Sequence, residues 1–153
     1  MIVGPDIDVE LVRRLTGGSG VIGLLDCEVI ELTRERVVMS LPVGPKTQQP
    51  GGILHGGVSV LLAESAASFG ATICAPPEHF AVGIEINASH LRSMVEGTLT
   101  AVATPARLGR TVHVWNITLT DESDRSICEA RCTLAIRPQR QPEPEPGADA
   151  VQA

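Results

Sequence analysis

Between His55 and Ile73 the apolar positions Val58, Val60, Leu61, Leu62, Ala63, Ala66, Ala67, Phe69 and Ile73 point in nearly every direction around a helix, and Glu64 is the only formal charge. A helix apolar all round is a buried one. Ser59, Glu64, Ser65 and Ser68 interrupt the run and nothing hydrophobic extends it, so the pattern predicts a core helix, not a membrane span. Upstream, Val21–Leu32 and Arg36–Pro42 are rich in Val, Ile and Leu, and the alternation of Val37, Met39 and Leu41 predicts two strands paired around Thr33–Glu35. Downstream, Pro76-Pro77 ends the helix and apolar residues alternate at 82, 84, 86 and 88, as in a half-buried strand. Further strands are predicted at Thr98–Thr104, Thr111–Asp121 and Ser126–Ile136.

Within Thr111–Asp121 the apolar parity shifts from Val112 and Val114 to Trp115, Ile117 and Leu119, which predicts a bulge or a change of covering surface. Pro105 likewise predicts an irregularity or an edge. Residues 7–16 predict a short helix with Ile7, Leu11 and Leu15 on one stripe, stopped by Gly17–Gly20. The sixteen residues after Arg137 hold four prolines and almost no large apolar side chain, so 138–153 is predicted to be a solvated, disordered tail behind one domain at 1–137. Two strands, a buried helix and then more strands make an α+β domain, an antiparallel sheet packed on one long helix. One helix leaves much of such a sheet uncovered, so self-association is expected.

Composition narrows the partners. A formal net charge of −6, with two Phe, one Trp and no Tyr, supplies neither a basic patch nor a stacking platform, and speaks against nucleic acid. Asp6, Asp8 and Glu10 precede Arg13 and Arg14, the reverse of a signal peptide. The four cysteines, at 27, 74, 128 and 132, have no CxxC spacing and no nearby histidine cluster, so neither a metal site nor a disulfide framework is expected. A cytoplasmic protein with no metal and no cofactor is the resulting expectation, with Cys128 and Cys132 as small core residues.

The chemistry concentrates at the start of the central helix. Gly56 and Gly57 leave bare backbone where the first-turn N–H groups are free, a setting that attracts developing negative charge and admits a ligand closely. Glu64 follows two to three turns later. A glutamate in an apolar helix is either half of a structural ion pair or a working carboxylate. No Lys or Arg occurs between Lys46 and Arg92 to make the pair locally.

The run Gln49-Pro-Gly-Gly-Ile-Leu-His55-Gly56-Gly57, followed by Glu64 and Ser68, resembles the hotdog-fold acyl-CoA thioesterases, in particular the hydroxyaroyl-CoA branch that includes 4-hydroxybenzoyl-CoA and 1,4-dihydroxy-2-naphthoyl-CoA thioesterases. The segment Val82–Ser93 resembles the next part of the same branch, and the likeness covers roughly Leu11 to Arg137. The resemblance implies the hotdog fold, with the sheet wrapped around the helix, and active sites shared in a homo-oligomer, a dimer at least and a tetramer by expectation. It implies Glu64 as nucleophile or general base, the Gly56 N–H as polariser of the thioester carbonyl, and supporting roles for His55, Gln49 and Ser68. The coenzyme A moiety is expected at strand ends, on His90, Arg92 and Ser93 and on the turn Gly109, Arg110 and Thr111, where the plain alternative is ordinary polar strand ends.

The implied reaction is hydrolysis of an aromatic acyl-CoA, with 1,4-dihydroxy-2-naphthoyl-CoA of menaquinone biosynthesis and 4-hydroxybenzoyl-CoA as leading substrates. Phenylacetyl-CoA and medium-chain acyl-CoA are the alternatives, because no short motif encodes the shape of an acyl pocket. A non-catalytic acyl-CoA-binding protein is the rival class, and it would not require Glu64.

Overall fold

The computed structural model describes residues 1–5, 7, 8, 10, 12, 17 and 20–139. Strands β1 (Ile2–Val3), β2 (Glu28–Leu32), β3 (Val37–Val43), β4 (His79–His90), β5 (Gly97–Leu108), β6 (Val112–Thr120) and β7 (Ser126–Pro138) form one sheet in the order β1-β2-β3-β5-β6-β7-β4. A short helix, α1 (Gly20–Leu24), precedes β2, and the 19-residue α2 (Gly56–Cys74) packs against the inner face of the sheet. This is the expected α+β hotdog arrangement. The sheet is mixed, not wholly antiparallel, because β1 pairs parallel to β2.

The close packing of α2 follows from its small residues. Ala63, Ala66, Ala67 and Ala71 are wholly buried with Leu62, opposite Trp115, Ile117 and Leu119 of β6 and Cys128, Cys132 and Leu134 of β7. Gly70 is the tightest point: the ring of the fully buried Trp115 occupies the place a side chain would take. By length and composition α2 could cross a bilayer, yet half of it is buried, as in a core helix. It ends at Ala75, whose extended backbone (φ −68°, ψ 153°) is what the following Pro76 imposes.

Three local expectations are corrected. The run Val21–Leu32 is not one strand: Gly20–Leu24 is helical, and Asp26 turns the chain through a left-handed conformation (φ 54°) before β2 begins at Glu28. A stretch of Val, Ile and Leu without strict alternation fits either state. The alternation at 82, 84, 86 and 88 does not mark one buried face. The register of β4 against β7 shifts between Gly83 and Glu85, so Ile86 and Ala88 pack on the core while Val82 and Ile84 are exposed.

The parity change in β6 has a different cause from a break in that strand. His113 takes the buried position before Trp115, Ile117 and Leu119, and Val112 and Val114 face outward. A bulge does occur opposite, in β5, between Pro105 and Arg107. Beyond Arg137, Pro138 pairs with His79, and the Gln139 N–H donates to the Glu78 carbonyl (2.7 Å). Residues 140–153 and most of the helix expected at 7–16 lie outside the described residues.

The buried His113 sets a pH dependence. Burial holds its imidazole below the ordinary value of 6.5, the hydrogen bond with the Gly109 backbone pulling more weakly the other way, and Nδ1 has no partner. As pH falls through about 6.5 the unfolded chain binds a proton at this residue that the folded chain resists, so stability is lost below that pH. Urea midpoints measured between pH 7.5 and 5 should fall more steeply for the wild type than for His113→Gln. Parallel slopes would contradict this assignment.

Candidate active site

The approach to α2 is a narrow turn. The Gln49 N–H donates to the Ile53 carbonyl (2.8 Å), the Gly52 N–H to the Gln49 carbonyl (2.9 Å) and the His55 N–H to the Thr47 carbonyl (2.9 Å). Gly52 sits at φ +76°, a conformation that favours glycine. The Leu54 N–H donates to the Met94 carbonyl (2.7 Å), which ties the turn to the segment following β4.

His55 is the N-cap. Its backbone is extended, and its Nδ1 accepts the Gly57 N–H at 2.9 Å. The Val58 N–H donates to the His55 carbonyl. The Gly56 N–H therefore has no protein acceptor among the described residues, and it lies where the helix backbone concentrates partial positive charge. His90, the last residue of β4, covers this point: a Cβ on Gly56 would stand 2.8 Å from His90 Nε2. A side chain at 56 would have to push the His90 ring aside.

Gln49, Gly56, His90, Arg92 and Ser93 line one open pocket of about 330 Å³. Leu91 and Ile127 also line it, contacts that the sequence reading missed; their exposed and buried strand-end positions carry no distinguishing signal. Arg92 is oriented by one bond, from Nη1 to the Ser126 carbonyl (2.8 Å).

Glu64 is elsewhere. Eight residues beyond Gly56, it is about 12 Å further along the helix axis. Its residue is half-buried, on the side of α2 turned from the core, and Ser68 follows one turn later. No described residue gives the Glu64 carboxylate a hydrogen bond or an ion pair, so it is not half of a structural pair. The carboxylate rests on Gly83, at the β4 bulge, where an added Cβ would stand 2.5 Å from Oε1. Nearby Cys132 is no rival nucleophile: burial first, then the charges of Glu64 and Glu85, push its thiol up to about 12.

Gly109, Arg110 and Thr111 are not brought to the pocket. His90 pairs with Cys128, whereas Val112, next to the turn, pairs with Ala135. Those β7 residues are seven positions, or roughly 23 Å, apart. The turn lies instead at the end of the sheet shared by Gly83, whose partner is Leu134. Within one chain the expected site is thus two half-sites, one around Gly56 and one around Glu64.

Residues 51–128 match the model of the thioesterase superfamily. The chain belongs to that superfamily. This thioesterase is 41% identical over 136 residues to the 1,4-dihydroxy-2-naphthoyl-CoA hydrolase of Escherichia coli K12, covering 89% of this chain and 99% of that protein. It is 43% identical over 113 residues to the enzyme of the same name from Listeria monocytogenes, covering 74% and 92%. A solved thioesterase from Haemophilus influenzae superposes with a TM-score of 0.82 at 34% identity, covering 94% of this chain and 99% of the other. The protein is a hotdog-fold thioester hydrolase.

Proposed function

We propose that this thioesterase hydrolyses an aromatic acyl-CoA, with 1,4-dihydroxy-2-naphthoyl-CoA as its leading substrate and 4-hydroxybenzoyl-CoA next, and that Glu64 performs the chemistry. The carrying observation is the unpartnered Glu64 carboxylate on an otherwise apolar core helix. A structural role would pair such a carboxylate with a cation or a donor, and the described residues supply neither. The names of the two relatives at 41% and 43% identity support the substrate.

The carboxylate either takes a proton from water as the water oxygen attacks the thioester carbonyl carbon, or attacks that carbon itself to give an anhydride that water opens. Both routes end in the free acid and the CoA thiol. The charge gathering on the carbonyl oxygen is met by the Gly56 N–H, a donor of a kind worth about 3 kcal/mol in the transition state. The His55 cap fixes the first turn that presents it. Gln49 reaches the same pocket, Ser68 stands one turn from Glu64, and an Arg92 cation suits a CoA phosphate.

A separation of about 12 Å along the helix is too large for Gly56 and Glu64 of one chain to act on one carbonyl. Two copies resolve it. Strand β4 is an edge of the sheet, twelve residues long, with Phe80, Val82 and Ile84 exposed. Such an edge is a template for pairing. A two-fold axis through β4 pairs it antiparallel with its copy, which sets the His90 end of one strand beside the Gly83 end of the other. Each Gly56 half-site then meets the other subunit's Glu64 and the Gly109–Thr111 turn, so the smallest active unit is a dimer, and a tetramer would be two such dimers. Cys27, Cys128 and Cys132 are in no disulfide, which suits a cytoplasmic setting.

Release of CoA thiol should be measured over a panel of 1,4-dihydroxy-2-naphthoyl-CoA, 4-hydroxybenzoyl-CoA, phenylacetyl-CoA and medium-chain acyl-CoA. The aromatic hydroxyacyl substrates are expected to show the highest kcat/KM. A higher kcat/KM on medium-chain substrates would overturn the substrate assignment, and binding without turnover of any would leave an acyl-CoA-binding protein.

A further inference from the structure

The Glu64 carboxylate has no hydrogen-bond or ion-pair partner among the described residues, yet it has a definite seat. That seat is Gly83, in the middle of β4. Pairing with β7 is regular on both sides of this point, from His79 opposite Pro138 to Gly83 opposite Leu134 and again from Glu85 opposite Thr133 to His90 opposite Cys128. Between them the strand carries one residue too many, Ile84, which has no partner in the ladder. Bulges of this sort bend a strand and re-aim what lies beside it, and they gather next to active sites.

Gly83 is not at a positive φ, so nothing in its backbone conformation demands glycine. Space does. A Cβ there would stand 2.5 Å from Glu64 Oε1 and 3.5 Å from its Cδ, with no other heavy atom among its nearest neighbours. We propose that Gly83, with the bulge that follows it, is a positioning residue for the reaction. Its bare backbone fixes where the Glu64 carboxylate stops, and a side chain at 83 displaces the carboxylate without disturbing the core. This rests on Glu64 as the reacting carboxylate.

The expected consequence follows from which atom would yield. Oε1 is the free end of a flexible side chain on the side of α2 turned from the core, so a methyl group at 83 is accommodated by moving the carboxylate about 1 Å, to ordinary contact distance. A displacement of that size in a reacting group costs roughly tenfold to a hundredfold in rate. The CoA contacts expected of His90, Arg92 and Ser93, at the other half-site, are left alone.

The test is a cycle of four proteins, namely wild type, Gly83→Ala, Glu64→Asp and the double variant, assayed on whichever acyl-CoA of the panel the wild type turns over fastest. Gly83→Ala should lower kcat at least about tenfold with KM and Tm near wild type. Aspartate is one methylene shorter and leaves room for the methyl, so the double variant should be no slower than Glu64→Asp. Equal losses in the two backgrounds would mean that Gly83→Ala acts through folding or assembly, and would overturn the proposal. So would a wild-type kcat in Gly83→Ala beside an inactive Glu64→Gln. A wild-type rate in Glu64→Gln itself would instead overturn the assignment of Glu64 on which the proposal rests.

Discussion

Glu64→Gln is expected to lower kcat by at least about a hundredfold while leaving the circular dichroism spectrum, the melting temperature and CoA binding close to those of the wild type. The amide keeps the size of the acid, so the packing against Gly83 survives. What it loses is the ability to take a proton or to attack a carbonyl, and both routes to the free acid need one of these. Stability is spared because the described residues give the carboxylate no hydrogen bond or ion pair to lose. A kcat within a few-fold of wild type would remove Glu64 from the mechanism.

Gly70→Ala should instead strike the fold. A Cβ at 70 would fall within 2.8 Å of three ring carbons of Trp115, a residue with no exposed surface and therefore no free direction in which to move. On a solvent-facing helix the same change would stabilise by about 0.5–1 kcal/mol. Here overpacking against a rigid ring dominates, at about 3 kcal/mol or more, for a net loss of about 2 kcal/mol. For a domain of this size that is a fall in Tm on the order of 5–10 °C. Gly70→Ala combined with Trp115→Phe should recover part of it, because the smaller ring vacates the overlap. An unchanged or raised Tm for the single variant would show that α2 and β6 are further apart than described.

What could be read from the chain beforehand follows the strength of each local signal. The central helix was legible because its side chains are apolar on every side, and Glu64 stood out as the sole charge within it. The strands β3, β5, β6 and β7 were placed to within a few residues by alternation. The β6 error came from the assumption that polar means outward: His113 is polar and buried, which made β6 look broken when it is continuous. The β4 error was of another kind. One extra residue at Ile84 turns the following side chains over, and only the glycine before it hinted at a bulge.

The candidate site was legible as a set of residues and illegible as a place. The spacing of Gln49, His55, Gly56, Glu64 and Ser68 is a property of the chain, but their separation along a helix becomes a problem only when one substrate must touch them all. Likewise Gly109, Arg110 and Thr111 look like companions of His90, Arg92 and Ser93 until the register puts them at the far end of the sheet. The resolution through a second copy depends on an unpaired edge, which no short motif announces.

Complementation between two inactive chains tests the central claim, that each site joins Glu64 of one subunit to Gln49 and Gly56 of the other. Glu64→Ala and Gln49→Ala chains should be co-expressed with different affinity tags, the mixed dimers isolated and their kcat per dimer measured. A mixed dimer has one site that combines both substitutions and one that contains neither, so about half of the wild-type rate is expected while each parent is nearly inactive. If Glu64 and Gln49 of the same chain served one site, every site in the mixed dimer would carry one substitution, and its rate would stay at the level of the parents.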